Sequence, residues 1–238
     1  MATTMLLTAT RRAVRCRRSM ATLIELQRDV VQPRALADYA KAVSIRSKYR
    51  DSLGPGHLGS FRVSVGRTSS LYHLSAFADY DARDARDPDA RTAAAAGLDA
   101  TESSIFTEAT ATLNEAGIAG LAGGGSLDAT VGSVFEMRSY ELVLGYTTVP
   151  RFMELYAPGV KDKIRVDDTG ESRLVSLLYS EGGVAPLNTV IELWRHNSAQ
   201  GSQRSREKSR EANEWKKSIG AIAQLANRFE SQILVPLL

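Results

Sequence analysis

Residues 134–142 read VFEMRSYEL, and residues 187–195 read LNTVIELWR. In the first stretch Phe135 and Met137 alternate with Glu136 and Arg138, the period-two pattern of a half-buried strand. The second is an apolar run of β-branched and aromatic residues, of strand length. Gly145 breaks the first strand. Val149, Phe152, Met153 and Tyr156 then follow at helical spacing, with Pro150 in the first turn and Pro158 and Gly159 expected to end the helix. Residues 173–179 form another β-prone run, joined to the 187–195 strand by SEGGVAP (180–186), a hairpin-like loop rich in glycine. Asn197 and Ser198 offer the next helix cap. The polar stretch 200–217 mixes both charge signs. Ile219, Ile222, Ala223, Leu225, Ala226 and Phe229 then share one helical side, and residues 233–238 read as a closing strand. The order is β-α-β-β-α-β, the ferredoxin-like arrangement.

The same order recurs upstream, with strands or helices expected over 23–31, 35–48, 60–65, 71–77, 81–96 and 104–112. At a constant offset of 116, Gly66 falls on Gly182, Leu71 on Leu187, Leu74 on Val190 and Phe77 on Leu193. The same offset lays Ser60-Phe61-Arg62-Val63 over Ser176-Leu177-Leu178-Tyr179. Flanking segments match at other offsets: Glu25-Leu26-Gln27 resembles Glu136-Met137-Arg138, and residues 102–106 resemble 230–234. Conserved order in both halves implies an internal duplication. The predicted units span 21–117 and 134–238, joined by a Gly-rich linker over 118–133 that contains Gly123-Gly124-Gly125-Ser126. That run lacks the lysine of a P-loop and the spacing of a dinucleotide turn. In a ferredoxin-like unit helices cover one sheet face and leave the other in need of a partner. The expected fold is therefore α+β: two such units packed sheet to sheet as an intramolecular pseudo-dimeric α/β barrel.

Glu136-Met137-Arg138-Ser139-Tyr140 and Gly145, together with Pro186-Leu187-Asn188-Thr189-Val190-Ile191-Glu192-Leu193-Trp194-Arg195, resemble the opening strand and the hairpin strand of the NIPSNAP family. The ending Glu230-Ser231-Gln232-Ile233-Leu234-Val235-Pro236-Leu237 is similar to its terminal strand. The resemblance covers 134–238 well and reaches 22–116 mainly through the repeat. It implies a dimeric α/β-barrel fold and, for eukaryotic members, mitochondrial residence, with links to mitochondrial quality control, recruitment of autophagy machinery and vesicle traffic. It implies no established catalytic activity. Glu192 stands where the family commonly has histidine and His196 where tyrosine is usual, and Ala78 lies opposite Trp194 in the first copy.

The chain of 238 residues carries 30 Lys+Arg against 27 Asp+Glu. Five of the basic residues, Arg11, Arg12, Arg15, Arg17 and Arg18, lie in residues 1–20, which contain no acid. Leu6, Thr10 and Val14 would give that segment a modest apolar stripe on a helix. This is the pattern of a mitochondrial transit peptide, and the expected compartment is the matrix or the matrix face of the inner membrane. Without it, 25 basic residues face 27 acidic ones, a balance of about −2, so the basic pI does not signal a nucleic-acid surface. No apolar run approaches a membrane span. The lone Cys16 excludes an internal disulfide and a cysteine-based zinc site.

Histidines 57, 73 and 196 form no paired metal motif, although a single axial histidine could hold haem. No catalytic, cofactor-binding or metal-binding residue is assigned, and no cofactor is expected. A small-ligand pocket, if the barrel has one, is expected to draw on Tyr140, Tyr179, Asn188, Trp194 and His196, residues that packing of a barrel wall or a hairpin also explains. The acidic, arginine-interleaved run DYDARDARDPDAR (79–91) lacks calcium-loop spacing and reads as a solvated helix beginning at Asp81. The leading expectation is a non-catalytic mitochondrial interaction or structural subunit. Its partners would be mitochondrial proteins or a multisubunit complex, with no nucleic acid, no transmembrane segment, and room for peripheral membrane contact and oligomerisation. The alternative is a small-ligand or haem-binding enzyme of the monooxygenase-like barrel class.

Overall fold

The computed structural model describes residues 23–48, 56–85, 97–122, 124–180 and 186–238. The expected transit segment, residues 1–20, and the loop interior 181–185 lie outside them. The first half holds β1 (Leu23–Val31), α1 (Leu36–Lys48), β2 (His57–Val65), β3 (Ser70–Phe77), α2 (Tyr80–Asp84), β4 (Leu98–Glu108) and α3 (Thr110–Glu115). The second holds β5 (Val134–Leu142), α4 (Thr148–Val166), β6 (Ser172–Tyr179), β7 (Thr189–His196), α5 (Ala199–Lys208), α6 (Asn213–Ala223) and β8 (Ala226–Pro236).

The eight strands close into one antiparallel barrel in the order β1-β3-β2-β8-β5-β7-β6-β4. Sheet-to-sheet covering was the expectation, but the two four-stranded sheets also join at their edges. Strand β2 pairs with β8, from Phe61 opposite Pro236 to Val65 opposite Ile233. Strand β4 pairs with β6 through Thr107 opposite Tyr179 and Glu108 opposite Leu178. Closure is favoured because an open edge leaves a row of backbone N–H and C=O groups unpaired. Every strand sends apolar side chains inward, among them Ile24, Phe61, Tyr72, Phe106, Phe135, Val175, Ile191 and Leu234. Phe61 and Phe135 meet edge to face with centroids 4.9 Å apart, joining the two halves at the barrel's centre.

The hydrogen-bond register corrects the repeat alignment. Glu25 pairs with Ser75, and its counterpart Glu136 pairs with Trp194, so β3 and β7 correspond at an offset of 119. The offset of 116 differs by an odd number, and an odd slip exchanges the two faces of a strand. It would lay Leu74, which faces the barrel interior, on Val190, which faces the helices. At 119, Leu74 falls on Leu193 and Tyr72 on Ile191, all four inside the barrel.

Element boundaries also differ from expectation. Helix α4 continues through Pro158 and Gly159 to Val166. Pro158 lies on the exposed side, where the carbonyl it deprives of a partner can meet water. Gly159 is a contact point rather than a stop: a Cβ there would sit 2.4 Å from Ser218 Oγ, so α4 and α6 approach through it. Helix α6 ends at Ala223, and Ala226 and Phe229, expected on its apolar side, belong to β8. Pairing with β5 from Ala226 to Leu234 outweighs the helical spacing of those side chains. Of the helix expected from Asp81, the described part is Tyr80–Asp84, capped where Asp79 accepts from the Ala82 amide at 2.8 Å. Strand β4 ends at Glu108, and residues expected to extend it form α3.

The Gly-rich segment between the halves contributes to the core. Leu121 and Leu127 are buried inside the barrel, and the buried Glu108 carboxylate accepts from the amides of Leu121 at 2.8 Å and Ala122 at 2.6 Å. No helix among the described residues is long and apolar enough to cross a membrane.

Candidate functional site

The site lies on the outer face of the second half's sheet, beneath α4, α5 and α6. Phe135 and Met137 of β5 point into the barrel, so Glu136, Arg138 and Tyr140 point outward. In β7 the same alternation sends Ile191 and Leu193 inward and Val190, Glu192, Trp194 and His196 outward. Apolar residues of the helices cover this face: Phe152, Tyr156 and Val160 from α4, Trp215 and Ile222 from α6. The result is a layer of charged side chains enclosed by apolar ones.

Its centre holds two fully buried carboxylates. Glu192 accepts the Tyr140 hydroxyl at 2.7 Å and the Trp194 indole N–H at 2.5 Å, and lies 3.6 Å from Arg138. Glu136 accepts from Arg138 at 2.9 Å, Arg206 at 2.8 Å and Ser231 at 2.7 Å, with His196 Nε2 3.5 Å away. Burial alone would raise the Glu136 pKa; His196, Arg138 and Ser231 overcome it and hold the carboxyl well below the ordinary range. Burial would likewise lower that of Arg138, but Glu192 and Glu136 push it up instead. Burial drives Tyr140 and Tyr156 well above the usual phenol range, and the nearby Glu192 adds to it.

Lys163 is the exception in this layer. It is 3% exposed, with its ammonium 3.5 Å from the centroid of Trp194 and 5.0 Å from that of Trp215. Such stacking on ring faces is a cation–π arrangement. Burial, reinforced by the Arg138 charge, pushes its pKa down to about 7. Beside it opens a cleft of about 590 Å³ between α6 and the strands β5 and β8. Trp215, Ile219, Ile222 and Phe229 supply its apolar wall, and Arg138, Lys163, Arg206 and Arg228 its cationic one.

Of the five residues expected to form a pocket, only Tyr140 lines this cleft. Trp194 and His196 lie behind it, Trp194 as the base under Lys163 and His196 hydrogen-bonded to Ser172 at 2.5 Å. Tyr179 sits on β6 opposite Val190 and Thr107, away from the cleft. Asn188, with φ of +53°, donates to the carbonyls of Val143 and Gly145 and ties the start of β7 to the loop after β5. Asn188 is thus a loop clamp. His73 has both ring nitrogens engaged, by Asp29 at 3.0 Å and Ser60 at 2.8 Å. Among the described residues no three His, Cys, Asp or Glu side chains converge as metal ligands.

Pro158 and Gly159 imply a helix end, which places Lys163 beyond the helix; the structure keeps it on α4. A signal was present. Phe152, Tyr156, Val160 and Lys163 follow at spacings of four, four and three, which places a lysine on an apolar stripe.

Comparison with known proteins supports this architecture. Residues 135–238 match the NIPSNAP family model. No curated protein matches the chain. A candidate monooxygenase of Fusobacterium nucleatum superposes with a TM-score of 0.64 at 12% identity, over 92% of this chain and 93% of its own. Another, from Lactobacillus acidophilus, gives a TM-score of 0.58 at 10% identity, over 92% and 95%. An anthrone oxidase-like protein gives 0.60 at 12% identity, over 91% of each chain. At such identities these likenesses speak for the fold, which they share across nearly the full length. Over residues 135–238 the chain is therefore similar to the NIPSNAP family.

Proposed function

We propose that this barrel binds a small molecule in the cleft under α6, and that the site is built for an apolar or aromatic body bearing an oxygen-rich head group. The observation that carries the reading is the buried amine of Lys163. It has no hydrogen bond or ion pair among the described residues, yet Lys163 lines a cleft that has an apolar wall. A scaffold has no need of a buried lysine without a direct ion-pair partner, because burying such a cation opposes folding. Ligand sites of this kind are mostly apolar with a few convergent polar groups. The reading favours the enzyme-like alternative over a purely structural subunit, and the candidate monooxygenases of the same fold are in keeping with it.

The test uses 1-anilinonaphthalene-8-sulfonate, which joins an aromatic body to an anionic head. Fluorescence titration of the full chain is expected to show saturable binding of one molecule per chain. Ala223→Trp, which fills the cleft from α6 without touching its charges, is expected to weaken binding by about tenfold or more. Binding that is non-saturable, or indifferent to this substitution, contradicts the proposal.

The mitochondrial address belongs to the same proposal and rests on the arginine-rich, acid-free residues 1–20. Fusing them to a fluorescent protein and scoring import tests it independently of the cleft. A second reading, partner docking, draws on the exposed Val143, Leu144, Tyr146 and Leu187, which the Asn188 clamp holds near one another.

A further inference from the structure

Lys163 stands apart from every other charged group in the buried layer. Each neighbouring carboxylate is already committed. Glu192 serves Tyr140, Trp194 and Arg138, while Glu136 serves Arg138, Arg206 and Ser231. None reaches the amine, whose only partners among the described residues are the faces of Trp194 and Trp215. Lysines this deeply buried are almost always paired. Lys163 also lines the cleft, which gives a ligand a route towards its side chain.

We propose that Lys163 is a reactive amine that condenses with the carbonyl carbon of an apolar or aromatic aldehyde or ketone held in the cleft. This rests on the reading of the cleft as a small-molecule site and names the substrate class. The Lys163 Nζ lone pair attacks the carbonyl carbon, forming a C–N bond and moving the π electrons onto oxygen. Both hydrogens of the amine end on that oxygen, the C–O bond breaks, and water leaves as the C=N bond of an imine forms. No oxidant or reductant is consumed. Burial and the adjacent Arg138 lower the amine's affinity for its proton, the two ways by which nucleophilic lysines are activated. The apolar wall of Trp215, Ile219, Ile222 and Phe229 selects the ligand body and limits the water that would hydrolyse the imine.

The experiment incubates the full chain with 2-naphthaldehyde and sodium cyanoborohydride near neutral pH, which reduces the imine to a stable amine. Peptide mapping by mass spectrometry then locates the adduct. Lys163 is expected to be labelled at least about tenfold faster than any surface lysine. Ala223→Trp should suppress this labelling. Lys163→Arg should abolish it while retaining binding of 1-anilinonaphthalene-8-sulfonate. Should that variant fail to fold, the map of the unaltered chain decides alone. Normal binding of the sulfonate with Lys163 labelled no faster than surface lysines overturns this proposal and leaves the cleft reading intact. Loss of both overturns both.

Discussion

Lys163 and Trp194 meet at the boundary between α4 and the barrel wall, the amine 3.5 Å from the ring centroid. One residue comes from a helix and the other from a strand of the same half. Arg138 approaches the same ring at 5.8 Å, so two cations share one indole. The carboxylate that accepts the indole N–H, Glu192, supplies the compensating charge from the ring's edge. This geometry lets the buried layer tolerate a lysine with no direct counter-ion.

The pH dependence of stability follows from that lysine. Glu136, Arg138 and Tyr140 on β5, Glu192 on β7, Tyr156 on α4, Arg206 on α5 and Asp167 beyond α4 are its charged and titratable surroundings. Its pKa falls from 10.5 to about 7 on folding. Between those values the unfolded chain holds a proton that the native protein has released, so stability rises with pH across this window. The slope is at most about 1.4 kcal/mol per pH unit, and the attraction of the indole faces for the ammonium reduces it. Below about pH 7 both states are protonated and the slope vanishes. Urea denaturation of the protein and of Lys163→Met should show this slope in the former only. Equal slopes would sink the assignment.

The first half carries its own buried charge in Asp29, which accepts from Tyr39 at 2.7 Å, Gln27 at 2.9 Å, Thr101 at 3.0 Å and His73 at 3.0 Å. Burial would raise its pKa, but His73, Tyr39 and Gln27 outweigh it and lower the value to about 2. A depressed carboxylate stabilises the fold above the unfolded pKa of 3.8 and loses that contribution as pH falls from there towards 2. The amount is about 2 kcal/mol. Asp29→Asn should cost about that much near neutral pH and flatten the acid limb of the stability profile, as read by chemical denaturation. An unchanged acid limb would show that the network does not titrate in this range.

Leu127 tests the role of the Gly-rich segment. Its side chain lies inside the barrel, where a Cβ on Gly59 would come within 2.7 Å of its Cδ1. Leu127→Ala should therefore destabilise the protein by about 2–4 kcal/mol, as for a core leucine, lowering the thermal midpoint. The change expected of a solvent-exposed linker is within about 0.5 kcal/mol. A thermal melt distinguishes the two.

Much of the site was visible in part before the fold. Tyr140, Trp194 and His196 were singled out for their chemistry, and all three belong to the buried layer. Asn188 and Tyr179 do not join the cleft, because one clamps a loop and the other lies on a strand at the seam with β4. Lys163 is not legible as a site residue because a proline and a glycine in succession imply a helix end, whereas the helix carries on with Gly159 packed on Ser218.

Local alternation in VFEMRSYEL and the recurrence of strand and helix signals determined, without any structure, that the chain mixes strands and helices in an α/β barrel-like fold. These are readable because the choice between burial and exposure is made residue by residue, at the period of each element. Which residue of one half corresponds to which of the other, how the sheet edges join, and where the lysine's amine comes to rest were decided by tertiary structure alone. A register is a contest between whole faces, in which a slip of three residues would turn Leu74 outward, and its outcome depends on side chains more than a hundred positions apart. The environment of Lys163 is likewise assembled from α4, β5, β7 and α6, and no window of contiguous sequence contains it.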